Sequence, residues 1–292
     1  MPREGTPFRR ILADFIANPT AVFGLVLLGA IVAVAIAAPL ISPQNPYDLA
    51  QLDVMDGRLP PGASTSGGTF WLGTDDQGRD MLSAIFYGLR ISLTVGIVST
   101  VVALALGLAL GLAAAYFGGR TETVIMRIAD IQLSFPAILI ALILLAVLGQ
   151  GMLKIIAALI TVQWAYYART VRSAALVEKR KEYIEAARCL ALSPARIVFR
   201  HLLPNCLPPL IVVATVQVAA AIALEATLSF LGLGLPITEP SLGLLIANGY
   251  QYLLSGKYWI SFFPGVALLL TIVSINLVAD QLRDVLNPRL QR

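Results

Sequence analysis

The chain reads as an all-α integral membrane protein with six transmembrane helices. Three observations predict this class. Of its 292 residues, 58% are apolar and only 13% charged, and the mean hydropathy is +0.80. A soluble domain carries about 25% charged residues. The apolar residues fall in long uncharged stretches, and a helix needs roughly 20 of them to cross a hydrocarbon core of about 30 Å. The basic residues collect in alternate connections, as a positive-inside topology requires. The net charge of +4 is scattered rather than clustered, so nucleic-acid binding is not indicated.

The spans follow in order. Ala21–Ile41 is the first. The arginines before it and the Ala35-Ile36-Ala37 triplet resemble a signal peptide. The apolar run is longer than the roughly 7–15 residues of such a region, and Pro39 hinders cleavage, so a retained anchor is expected. Ile91–Gly119 is the second span, and its Gly107 and Gly111 have the spacing that lets another helix approach closely. Ile131–Leu153 is the third, with Pro136 expected to kink it. Asp130 lies one turn from Arg127, as an intrahelical pair. Ile155–Ala168 is the fourth and is short, but Lys154, Arg169 and Arg172 can snorkel to the headgroups. Trp164, Tyr166 and Tyr167 suit an interfacial belt. Leu202–Leu224 is the fifth span and Tyr258–Ala279 the sixth. With this assignment 16 of the 21 basic residues lie on the side that holds both termini and the long connection between spans four and five. That side is expected to be cytoplasmic.

The resulting organisation is a cytoplasmic N-terminus at 1–20, a first transmembrane helix at 21–41 and an outer loop at 42–90. A five-helix core follows at 91–282, then a cytoplasmic tail at 283–292. The outer loop ends in a turn leading into a helix, with Asp75, Asp76 and Asp80 beside Arg79. A hydrolytic or metal site is one reading. A charged turn with helix-capping carboxylates is the simpler one, because nothing else in the chain supplies a nucleophile, a base or further ligands. Cys189 and Cys206 suggest reduced thiols rather than a disulfide, and the lone His201 has no metal-binding cluster around it. No catalytic residue and no metal site are assigned.

Glu225 follows 23 uncharged residues near the outer end of span five. A carboxylate is costly in lipid, so it is either a partnered structural group or part of a translocation path or gate. Asn248 is the other candidate for that path. It lies in the apolar stretch 242–254, where dense glycines and prolines predict an outward re-entrant or interfacial segment.

Residues 182–205, EYIEAARCLALSPARIVFRHLLPN, are the most informative stretch. Glu182–Leu192 is rich in helix formers. Ser193 and Pro194 can stop it and start a second short helix, bounded by Pro204. Ala186 and Ala187 would let another protein's surface come close, with Glu185 and Arg188 at the rim. Glu185-Ala186-Ala187, followed at the right distance by Leu203-Pro204, resembles the motif of bacterial binding-protein-dependent ABC importer permeases. Ala191 stands where that motif has glycine, which calls for an ordinary right-handed or turn conformation, and His201 stands where it has isoleucine. Gly73, Thr74, Asp75, Gly78, Arg79 and Asp80 are similar to an outer-loop signature of the second membrane subunit in dipeptide and oligopeptide importers. Leu228–Gly234, Pro240-Ser241 with Gly243, and the tail 282–290 are similar to that subunit as well, although Leu242 replaces its usual tryptophan.

The resemblance implies a type I ABC importer permease fold in a bacterial inner membrane, with a coupling helix between spans four and five. Glu185, Ala186, Ala187, Arg188, Ala191, Leu203 and Pro204 would carry coupling to the ATPase. It also implies a second homologous permease subunit, two cytoplasmic ATPase subunits that bind ATP and Mg²⁺, and an external substrate-binding protein. The chain itself has no phosphate-binding loop motif, so no cofactor is expected in it and it is not expected to be an enzyme. Relatives of this type carry dipeptides and oligopeptides, and sometimes nickel, glutathione or opine-like solutes. A secondary transporter is the remaining alternative, but it would place several ionisable residues inside its spans, and only Glu225 qualifies here.

Overall fold

A computed structural model describes residues 13–48, 52–65 and 68–286. The tail motif at 287–290 lies outside them. Helix α1 (Pro19–Ile41) starts where the Asn18 side chain accepts from Thr20 N and Pro19 takes the first helical position. A two-stranded antiparallel hairpin, β1 (Ala63–Thr65) and β2 (Gly68–Phe70), lies in the outer loop. Helix α2 (Met81–Phe117) is 37 residues long, about 55 Å at 1.5 Å per residue. The expected loop therefore ends at residue 80 and not at 90. The ten residues before Ile91 are helical and capped by Asp80, and the charge of Arg90 separates them from the uncharged run that follows.

The third span is not one helix. Helix α3 (Gly119–Leu133) and helix α4 (Ala137–Leu148) meet at 90° across Ser134–Pro136. Pro136 breaks the helix outright, having no N–H to continue the ladder. Helix α5 (Met152–Glu178) is longer than its apolar part. Helix α6 (Glu182–Cys189) is short. Helix α7 (Pro194–Phe230) runs unbroken for 37 residues, so Pro204 does not bound a second short helix as expected. A π-helical stretch, Ile197–Leu202, precedes that proline, and its wider turn absorbs the missing N–H. Helix α8 (Leu242–Tyr250) is capped by Ser241, whose hydroxyl accepts from Leu244 N at 3.2 Å. Helix α9 (Trp259–Leu286) closes the fold.

By length and composition, α1, α2, α7 and α9 can each cross a bilayer, and the bent α3–α4 pair makes a fifth crossing. Helix α5, with 27 residues, reaches about 40 Å, long enough to match the sixth span expected from the sequence. Its charges and its polar residues, Gln163 among them, leave it less apolar than the others.

The core lies where α2 passes between the other spans. On one side α2 and α1 meet α7, α8 and α9 through Ile31, Met81, Leu89, Ile222, Leu242, Trp259 and Ile275. On the other side α2 meets α5 closely. A Cβ at Gly107 would lie 2.5 Å from Tyr167 Cβ, and one at Gly111 would lie 2.6 Å from the Ala168 carbonyl. The small-residue spacing therefore does bring two helices together.

Candidate functional site

Helix α6 has a charge order that suits its dipole, with Glu182 and Glu185 in the first turn and Arg188 in the last. Its C-terminus forms a Schellman motif: Leu192 N donates to Ala187 O at 3.1 Å and Ala191 N donates to Arg188 O at 2.9 Å. That motif needs a left-handed residue, and Ala191 supplies it at φ 52. The expected right-handed conformation is thus corrected. The position needs what glycine provides freely, and alanine takes it at a cost.

The two faces of α6 differ. Ile184 and Ala187 are buried against Ile197, Leu202, Tyr116 and Val198. Glu185, Ala186, Arg188 and Cys189 are exposed, and Leu190 is 74% exposed. Ala187 therefore belongs to the underside that seats α6 on α7, while Ala186 belongs to the open face. Leu203 and Pro204 lie within α7, just after its π-helical stretch. Leu203 borders an apolar cavity of about 500 Å³ with Val198, Phe199 and residues of α2.

Polar side chains tie α6 to its neighbours. Tyr183 Oη donates to Glu178 Oε2 at 2.6 Å, and Asn205 Nδ2 donates to Tyr183 Oη at 3.1 Å. Asn205 Nδ2 also donates to His201 O at 2.7 Å. Burial, and then the hydrogen bond to Glu178, push the Tyr183 phenol up to about 12, so it stays a neutral donor at physiological pH. Lys179 Nζ donates to the carbonyls of Ala115 and Tyr116, each at 2.9 Å. It thereby caps the C-terminus of α2 with a cation.

Toward the same end, Arg169 pairs with Asp130 and Arg172 with Glu122, joining α5 to α3. The partner of Asp130 is thus a residue of another helix, not Arg127 one turn away. Both pairs border a polar cavity of about 750 Å³ that also includes Arg127 and Ser173.

The outer-loop signature is buried. Thr74, Asp75, Arg79 and Asp80 are at most 1% exposed. Arg79 Nε donates to Asp75 Oδ2 at 2.6 Å, and Arg79 Nη1 donates to Ile237 O at 3.2 Å. Thr74 Oγ1 donates to Asp56 O at 2.6 Å and accepts from Leu59 N at 2.8 Å. Asp80 caps α2 by accepting from Ser83 N at 2.8 Å. Gly73 and Gly78 sit at φ 79 and 78, and a Cβ at Gly78 would lie 2.1 Å from Asp53 O. These residues form a knot that fastens the outer loop to α2, α9 and the segment after α7. They make a structural site, with the carboxylates spent on a cap and an ion pair. Burial and the neighbouring Asp75 raise the Asp76 carboxyl above its ordinary value.

Glu225 is fully buried. Its oxygens accept from Ser92 Oγ at 3.0 Å and Ser229 Oγ at 2.8 Å, so it bridges α2 and α7. Asn248 is partly buried on α8, and its Nδ2 is buried without a hydrogen-bond partner among the described residues. The structure does not bring Glu225 and Asn248 together at one cavity among those described.

Several apolar helices long enough to cross a bilayer, a buried and hydrogen-bonded loop before α2, and a small helix seated on α7 define a multi-pass membrane subunit. Residues 107–292 match the family described as binding-protein-dependent transport system inner membrane component, and residues 6–61 match the N-terminal transmembrane domain of oligopeptide transport permease C. The chain belongs to this family of ABC transporter permeases.

A dipeptide transport system permease protein of Escherichia coli is 40% identical over all of this chain and 96% of its own length. A di/tripeptide transport system permease protein of Pseudomonas aeruginosa is 36% identical over 98% of this chain and 93% of its own. Among solved structures, an inward-facing MetNI methionine ABC transporter superposes with a TM-score of 0.57 at 24% identity. The match covers 71% of this chain and 98% of that one and shows the shared type I importer fold.

Proposed function

We propose that this chain is the peptide-carrying permease subunit of an ATP-driven importer in a bacterial inner membrane, with both termini in the cytoplasm. The exposed face of α6, formed by Glu185, Ala186 and Arg188 with Leu190 beside them, receives a cytoplasmic ATPase subunit. This face carries the reading: one side of an eight-residue amphipathic helix, with Ala186 between Glu185 and Arg188, stands exposed while its apolar underside is packed on α7. ATP and Mg²⁺ belong to the two ATPase subunits. Closure of that pair moves α6, and the bundle alternates between inward and outward openings. A second homologous permease completes the pathway, and an external binding protein delivers a dipeptide or oligopeptide to the outer face. Similarity to di- and tripeptide permeases along nearly the whole chain supports the peptide class. Glu225 and Asn248 remain the path candidates, Glu225 as a bridge whose rearrangement would open α2 from α7.

The test is co-purification with the neighbouring subunits, followed by ATPase assays with peptide-loaded binding protein. Stimulated hydrolysis is expected. Ala186→Arg should abolish the stimulation while leaving the chain folded, because its side chain points away from the core. Unchanged stimulation in that variant would rule out this face as the docking site, and no stimulation by any peptide-loaded binding protein would rule out the peptide class.

A further inference from the structure

We infer that Tyr183 is a positioning residue for coupling: its single hydroxyl ties α6 to α5 and to α7, so that movement imposed on α6 reaches both spans together. The inference rests on the reading of α6 as the ATPase-docking element.

Covalent geometry alone does not make α6 rigid. Only residues 179–181 join it to α5, and only residues 190–193 join it to α7. Its underside contacts, Ile184 and Ala187 on Ile197 and Leu202, are apolar, and apolar burial is non-directional. An eight-residue helix held in this way could roll or slide under load.

The hydroxyl of Tyr183 removes that freedom because hydrogen bonds are directional. It donates to Glu178 Oε2 at 2.6 Å, on the last turn of α5. The acceptor is ionised, so the bond is of the stronger, charge-assisted kind. Lys181 Nζ holds the other Glu178 oxygen at 2.6 Å, which fixes the carboxylate. The same hydroxyl accepts from Asn205 Nδ2 at 3.1 Å. Asn205 also donates to the carbonyl of His201, inside the π-helical stretch of α7, at 2.7 Å. The hydroxyl, the carboxylate and the amide thus form one bridge over three helices. Lys179 adds the end of α2 through Ala115 and Tyr116. A phenylalanine at 183 would keep the ring and lose the bridge.

The test uses the whole importer in proteoliposomes, with labelled dipeptide uptake and phosphate release measured on one sample. Tyr183→Phe should leave ATP hydrolysis within about twofold while uptake per ATP falls about tenfold, the worth of a hydrogen bond to a charged group. Asn205→Ala should give the same loss, and the double variant no more, because both remove one bridge. Unchanged uptake per ATP in Tyr183→Phe overturns the inference, as does a double variant whose losses multiply.

Hydrogen exchange on the full-length chain alone gives a second reading, independent of any partner. Tyr183→Phe should speed exchange in α6 and in residues 197–202 together. Faster exchange confined to α6 overturns the relay to α7. A wild-type importer without ATP-driven peptide uptake would instead refute the proposed function and leave this exchange result to decide the bridge.

Discussion

Ala191 holds a left-handed conformation at φ 52 because the Schellman turn after α6 has room for nothing else. For a residue with a Cβ this conformation costs about 1–2 kcal/mol. Ala191→Gly should therefore stabilise the end of α6 by about 1 kcal/mol and slow amide exchange at residues 190–192 about fivefold. Equal exchange in the two proteins would show that the turn carries no strain. The neighbouring alanines separate in the opposite sense. Ala187 is 4% exposed, and an arginine there would have to leave its charge among Ile184, Ile197 and Leu202. Ala187→Arg should lower the thermal midpoint in detergent by a loss of about 3 kcal/mol or more, and it should fail to assemble for that reason. Ala186→Arg should keep the wild-type midpoint, and a matching drop in both variants would contradict the facing assigned to α6. These roles could not be read from the letters Glu-Ala-Ala. Helical periodicity orients two adjacent residues only once something shows which side meets the protein.

At the scale of elements, α2 and α5 approach closely. Gly111 has the Ala168 carbonyl 2.6 Å and Val171 Cβ 2.7 Å from where a Cβ would stand. Gly111→Val should force the helices apart and cost about 2 kcal/mol or more, measured as a lower unfolding midpoint of the purified chain. An unchanged midpoint would mean that the two helices slide freely past each other. This contact was legible in advance, since a small-xxx-small pattern in an apolar stretch has few other uses. The break at Pro136 was legible in place but not in size, because a missing N–H locates a disruption without setting the angle. Three features were hidden. Helix α2 begins ten residues before Ile91 because Asp80 caps a stretch that is apolar up to Arg90, the one charge that interrupts it. Helix α7 runs through Pro204 because a π-helical stretch accommodates it. Helix α5 carries four charges, and two of them, Arg169 and Arg172, are paired with Asp130 and Glu122 on α3.

At the scale of the molecule, the topology expected from the sequence puts α6 and the buried loop before α2 on opposite sides of the bilayer. Cys189 is exposed on α6 and Cys206 is buried in α7, which gives a direct test of orientation. A membrane-impermeant maleimide should label Cys189 in inside-out vesicles and spare it in right-side-out ones. Labelling in right-side-out vesicles would invert the topology. The sequence by itself determined the membrane class and the motifs that place the chain in its family, and its charge distribution predicts the side of each connection. Those properties rest on local composition, on chain breakers and on charge counts, which do not depend on distant partners. Only the tertiary structure decided which alanine of α6 faces outward, that Asp130 belongs to Arg169, that Arg79 is buried as a fastener, and that Tyr183 bridges three helices. Each of these depends on which residues far apart in the chain are brought face to face. Packing selects those pairs by shape and by hydrogen-bond satisfaction, and neither is written in any single segment.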